Sequence, residues 1–369
     1  MLRYRHFDHD FGDSVLYASL ILRPDKKQKR PDLVLQANGT ELESKFYKAY
    51  RNFMRHKLED YTSYGAYWKP LQKAVLPSQT VYFSADGVYS QINLETIPTA
   101  KNKYILDDVN VVLVNNTRSL TERKQRKTGG EALATLYGNP TFYASVSRET
   151  VSKERGSNEV IAQLPGTETE IREIEKLLKS QGWKIESYQE RLASEGNVKT
   201  LQSPKVFHVA THGFFDASDR TQTDLGVGMA DNPMLRSGLL FEGAGDLLFQ
   251  TKQNYNVEPG VLTAFEAMTL NLDNTELVVL SACETGLGDV AAGEGVYGLQ
   301  RAFLVAGADA IVMSLFKVSD EATQKLMVYF YKNWLEGQDK RAAFINAKKT
   351  LRVEYPQPIF WGAFIMIGD

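Results

Sequence analysis

Cysteine is almost missing from these 369 residues: Cys283 stands alone. One thiol cannot close an internal disulfide or build a thiolate-rich zinc site. Histidine is also scarce. Of the five, only the pairs His6/His9 and His208/His212 have a spacing that a metal could use. No apolar run approaches the roughly 20 residues that cross a bilayer, and the opening MLRYRHFDHDFGDS is too charged for a secretory signal. Charge of one sign is lacking too. The 43 basic and 45 acidic side chains nearly cancel to −2, which argues against the broad basic footprint of a nucleic-acid binder. With 12 prolines and 27 glycines the chain is neither collagen-like nor low in complexity. The expectation is a soluble, cytoplasmic, disulfide-free α/β protein that contacts neither nucleic acid nor membrane. At roughly 100–200 residues per domain its length favours two or three domains.

What is there divides into two unequal halves. Residues 15–22 read as a strand, residues 41–73 carry apolar side chains at helical spacing, and residues 80–84 and 110–114 read as strands. The basic, glycine-ended segment 122–130 reads as an exposed linker, so the domain boundary falls between 1–130 and 131–369. In the second half, residues 132–137 read as a strand. Thr167 reads as a helix N-cap with Glu170 completing a capping box, and Ile171, Ile174, Leu177 and Leu178 form the stripe behind it. Three continuous apolar, β-rich runs follow at 206–210, 277–280 and 310–315, the pattern of strands buried on both faces of a parallel sheet. Helices are expected over 294–305 and 320–334. Residues 215–259 form a long polar connection, a length usual for functional or mobile segments.

Two of the apolar runs end in reactive residues. The first leads into Thr211-His212-Gly213, the second into Ser281-Ala282-Cys283-Glu284. Open parallel sheets carry their sites outside the carboxyl ends of the strands. If these two strands are neighbours, His212 and Cys283 reach the same edge. A thiol with a pKa near ~8.5 needs a base to become a good nucleophile at neutral pH, and an imidazole supplies one. The backbone amides of Gly213 and Cys283 could then hold an oxyanion. Taken alone, Cys283 also fits a plain buried hydrophobe. His208, in mid-strand, reads as a core histidine. The G-x-G-x-x-A run from Gly286 to Ala291 is a poor dinucleotide fingerprint, because five residues separate it from the strand.

His208 to Phe215 (HVATHGFF), Asn232 to Leu240 (NPMLRSGLL), Leu277 to Gly288 (LVVLSACETGLG), Gly293 to Gly307 and Phe360 to Phe364 (FWGAF) together closely resemble the CHAT domain. CHAT proteins are caspase-like cysteine peptidases related to separase, in clan CD with caspases and gingipains. The resemblance spans roughly residues 68–369. It implies a caspase-like, mostly parallel sheet flanked by helices, with residues 1–130 as an N-terminal pseudo-protease-like α/β subdomain. It also implies His212 as general base and Cys283 as nucleophile. Asp320 falls in the separase segment whose aspartate receives the arginine before the cut bond, which implies protein substrates cleaved after Arg or Lys. Asp320 also fits as a plain first-turn acid of a helix that Ser319 caps. Phe316 stands where the family commonly has tryptophan. Relatives act in bacterial defence, including cleavage of gasdermin-like pore formers, which implies a regulatory or defence setting. The alternative is a docking module whose peptidase stays silent until a protein partner, or a tetratricopeptide-repeat region of the kind that commonly precedes the domain, engages it. No cofactor and no metal follow from the dyad chemistry.

Overall fold

The computed structural model describes residues 1–8, 10–24, 29–75, 80–121, 131–143, 161–215, 232–248, 260–282, 285–286, 289–291, 295–317 and 319–368. Its frame is one eight-stranded sheet. In chain order the strands are β1 (Thr80–Phe83), β2 (Asn110–Leu113), β3 (Leu133–Pro140), β4 (Lys184–Glu190), β5 (Val206–Ala210), β6 (Leu277–Ser281), β7 (Ala310–Ser314) and β8 (Phe364–Gly368). Across the sheet they lie in the order β1-β2-β8-β7-β6-β5-β3-β4. Strands β4, β3, β5, β6 and β7 run parallel to one another. Strand β8 is antiparallel to β7 and parallel to β2, which is parallel to β1. The fold is therefore α/β with a mostly parallel sheet. Strands from before and after the linker at 122–130 share it through β8; the linker itself lies outside the described residues.

The helices include α1 (Tyr47–His56), α2 (Pro165–Ser180), α3 (Leu299–Val305), α4 (Asp320–Leu335) and α5 (Lys340–Glu354). Consecutive strand residues face opposite sides, and β5 shows which helix covers which side. Phe207 meets Phe303 of α3 at 6.0 Å between ring centres, whereas His208 meets Glu170 of α2 and Tyr331 of α4. So α2 and α4 cover one face and α3 the other. Every residue of β5, β6 and β7 is buried. That explains their unbroken apolar sequence, since each fully buried Val, Leu or Ile contributes about 1.5–3 kcal/mol.

Several expectations change. No capping box forms at Thr167: α2 starts three residues earlier, with Pro165 at its first turn and Leu164 as N-cap. Thr167 instead donates to the Leu164 carbonyl and accepts from the Asn139 amide, while Glu170 turns into the core. The helical stretch from 41 to 73 is broken after α1, where Lys57 adopts a left-handed φ of 56°. Helix resumes at Tyr64–Trp68 and Lys69–Gln72. The helix expected over 294–305 begins only at Leu299, because Gly295–Tyr297 pairs with Asp289–Ala291 as a hairpin. The connection 215–259 is not featureless where it is described. Ser237–Leu240 forms the middle strand of a small antiparallel sheet between Gly213–Phe215 and Val261–Thr263. Among the described residues no helix is long and apolar enough to cross a membrane.

Candidate active site

Strands β5 and β6 are hydrogen-bonded neighbours, and their register ends with Ala210 opposite Ser281. His212 and Cys283 each follow two residues beyond that pair. Cys283 lies outside the described residues, as do Glu284 and Asp216, the two acids that flank the dyad in the sequence and read as solvated or loop hydrogen-bonding groups. The backbone on both sides of 283–284 is held by the end of β7. Ser314 Oγ donates to the Ala282 carbonyl at 2.5 Å, and the Ser314 amide donates to Thr285 Oγ1 at 3.2 Å. The Gly286 amide donates to the Ser314 carbonyl at 2.7 Å. A Cβ on Gly286 would lie 3.0 Å from that carbonyl oxygen and 2.9 Å from Leu315 Cδ2, so the close approach favours glycine.

His212 is half-buried and held from three directions. Its carbonyl accepts from the Leu240 amide at 2.9 Å, and the preceding Thr211 hydroxyl donates to the Leu240 carbonyl at 2.5 Å. The ring packs against Phe142, 5.3 Å away and tilted by 46°. His212 Nε2 lies 2.8 Å from the Ala162 carbonyl. A carbonyl can only accept, so Nε2 carries a proton, and in the neutral ring the lone pair is on Nδ1. Gly213 opens the short strand that pairs with Ser237–Leu240, opposite Leu239.

His208, four residues earlier, has a different role. It is fully buried, with Nε2 at 2.9 Å from Glu170 Oε1 and Nδ1 at 3.1 Å from the Tyr331 hydroxyl. Glu170 Oε2 accepts from Ser281 Oγ at 3.0 Å. Burial, with the Glu170 charge beside it, raises the Tyr331 hydroxyl well above its ordinary pKa, so it keeps its proton. This chain of satisfied groups makes His208 a structural histidine and ties the end of β6 to α2.

Asp320 is exposed at the first position of α4, behind Ser319, whose side chain makes no capping bond. The N-termini of α4 and α2 meet here: a Cβ on Gly166 would lie 2.9 Å from Asp320 Cβ. Between them and the strand ends lies a small cleft of about 30 Å³, lined in part by Gly166, Glu170, Thr211, Ser281, Asp320 and Thr323. Among the described residues its lining includes two carboxylates and no basic side chain. Sequence reasoning missed Ala162, Phe142, Ser314 and the inward turn of Glu170. Only Ser314 left a trace, standing last in a buried strand.

The CHAT domain family model matches residues 62–369. Tetratricopeptide repeat protein 28 of Homo sapiens is 34% identical over 111 residues, 30% of this chain, and the Mus musculus protein of the same name is 33% identical over 111 residues. The chain spans only 4% of the length of these relatives. Among solved structures, the Arg-specific cysteine proteinase gingipain R aligns with a TM-score of 0.45 and 11% identity, over 87% of this chain and 67% of that one. Separase in the Saccharomyces cerevisiae separase–securin complex aligns with a TM-score of 0.42 and 13% identity, over 78% of this chain and 15% of that one.

Proposed function

The chain belongs to the CHAT domain family, and on that premise we propose that it is a cysteine endopeptidase with Cys283 as nucleophile and His212 as base. The observation that carries this reading is the register of β5 and β6, which sets the approaches to both residues side by side at one carboxyl edge of the sheet. The tautomer of His212 supports it. With Nε2 committed to Ala162, Nδ1 accepts the thiol proton. The thiolate attacks the scissile carbonyl, and the amides of Gly213 and Cys283 stabilise the oxyanion. His212 returns the proton to the leaving amine, and a water that it deprotonates releases the acyl group from sulfur.

In the same proposal Asp320 receives a basic side chain before the cut bond. Support comes from the two carboxylates lining the cleft, since a desolvated guanidinium or ammonium gains most from a charge-assisted partner. The proposed substrate is a protein cut after Arg or Lys, in a cytoplasmic regulatory or defence setting. Fluorogenic peptides ending in Arg, Lys, Asp or Leu test the assignment. The expectation is turnover after Arg or Lys only, absent in Cys283→Ala, and falling about ten- to a hundred-fold in Asp320→Asn. Turnover that survives in Cys283→Ala, or that follows Asp or Leu, contradicts it.

A second reading is a peptidase held silent until a protein partner docks. The match to 4% of a tetratricopeptide-repeat protein favours it, because repeat arrays present extended binding surfaces. Full turnover by the isolated chain would rule this reading out.

A further inference from the structure

Three strands at the start of the chain form a sheet of their own. Leu2–Asp8, Asp10–Ile21 and Asp32–Gln36 pair antiparallel in that order. Successive residues of a strand face opposite sides of its sheet. On the inner side Val15 and Tyr17 belong to the main core and Val34 packs against it. Gln36 is buried there between the Ala66 carbonyl and the Tyr89 hydroxyl. The alternate residues face away, and the register sets them in rows. Tyr4 lies beside Leu16, Ala18 lies between Leu2 and Leu35, and Leu20 lies beside Leu33, with Leu22 just past the strand end. Among the described residues none of these side chains joins a core cluster or packs against one. An antiparallel sheet with one face in water usually turns polar side chains outward, but this outer face is mostly leucine and carries no charge in these rows. Leu2, Tyr4, Leu20, Leu22, Leu33 and Leu35 are between 39% and 74% exposed. Together they present apolar surface on the order of 600 Å², the size at which a patch marks an interaction site.

We propose that this leucine face joins two copies of the chain as a two-fold homodimer, sheet against sheet with the long strands antiparallel. A standard interface takes about 800 Å² from each partner, so the face with its polar rim supplies one. A two-fold axis sets the same patch on itself, and an uncharged leucine surface meets its copy with no like-charge clash. Charge at the two ends of the sheet sets the orientation. The turn at one end pairs Asp8 with Asp10. At the other end Arg23 and Asp32 cancel as an ion pair, while Lys29 and Arg30 are exposed. Antiparallel stacking lays the acidic turn of each copy over the basic end of the other. An anionic lipid surface would attract the basic end and repel the acidic turn, so the second copy fits this face better.

Sedimentation equilibrium of the full chain tests the proposal and needs no turnover. The dimer should be present at about 10 μM. Leu20→Glu combined with Leu33→Glu should raise its dissociation constant at least about a hundred-fold, because a two-fold interface loses every leucine twice. The circular dichroism spectrum of that variant should match the wild type, since both positions are exposed in the single chain. Val353→Glu, at a leucine-free exposed site on α5, should leave the dimer intact. Lys29→Asp with Arg30→Asp should weaken the dimer about ten-fold, and adding Asp8→Lys with Asp10→Lys should restore it. A monomer at about 100 μM, a dimer unmoved by the two leucine substitutions, or an equal loss in Val353→Glu would overturn the proposal. A charge swap that restores nothing would overturn the antiparallel arrangement. A monomer that sediments with phosphatidylserine vesicles would overturn the dimer and assign the face to lipid.

Discussion

His208 and His212 sit four residues apart and have opposite environments. The first has both ring nitrogens bonded inside the core, whereas the second has one nitrogen tied to Ala162 and, among the described residues, no partner on the other. The sequence foreshadowed this difference, since a mid-strand position argues for packing and a position past the strand end does not. It did not foreshadow Glu170. The Thr-x-x-Glu spacing fits a capping box, but the start of α2 at Pro165 rotates Glu170 inward, onto His208 and Ser281. A helix start three residues earlier puts Glu170 in the second turn instead of at the N-terminus, and local spacing alone does not choose between the two. Replacing Glu170 by Ala would leave an imidazole and a hydroxyl unpaired in the core. At about 1–3 kcal/mol for each orphaned group, the variant should melt well below the wild type. An unchanged melting temperature would mean that this network carries no stability.

At the scale of elements, the strands that frame the site were legible because burial on both faces leaves a run such as Val206–Ala210 no place for alternation. The elements that escaped notice lie where burial is uneven. Strand β4 is half-exposed at the sheet edge, with no residue fully buried. Helix α5 hides charged side chains on its inner face. Lys348 on α5 is fully buried against Glu95, Nζ to Oε2 at 2.5 Å, which joins this helix to the short turn Leu94–Thr96 of the first half. Burial lowers the Lys348 pKa, and the Glu95 charge opposes the shift. Removing one member strands the other. Glu95→Leu or Lys348→Met alone should each cost about 3–5 kcal/mol in urea unfolding, whereas the double substitution should recover much of the loss. Strictly additive losses would show that the two side chains do not act as a pair.

At the scale of the whole molecule, the parallel half of the sheet and its carboxyl edge were readable from three apolar runs, but the joining of the two halves through β8 was not. That joining depends on which way Phe364–Gly368 runs, and five residues of apolar sequence carry no direction. The halves are further tied by Arg352 on α5. It donates to both Asp107 oxygens at 2.9 and 3.0 Å. Burial pushes the Asp107 carboxyl up, yet the Arg352 hydrogen bonds and charge, with the Tyr104 amide, hold it below its ordinary range. A depressed carboxylate contributes stability above its unfolded pKa of about 3.9 and loses it as pH falls through the folded value. Asp107→Asn should therefore be less stable than wild type at pH 7, by on the order of 1 kcal/mol, and the gap should close as the pH drops below 4. A gap that stays constant from pH 7 to pH 3 would mean that this carboxylate does not contribute through its charge.

The proposed dyad is tested most directly by labelling. An arginyl chloromethyl ketone is offered to the native chain and the product mapped by mass. The dyad predicts one adduct per chain, on Cys283, forming far more slowly in His212→Ala than in wild type. Labelling at the same rate in both, or no adduct on Cys283 in folded protein, would contradict it.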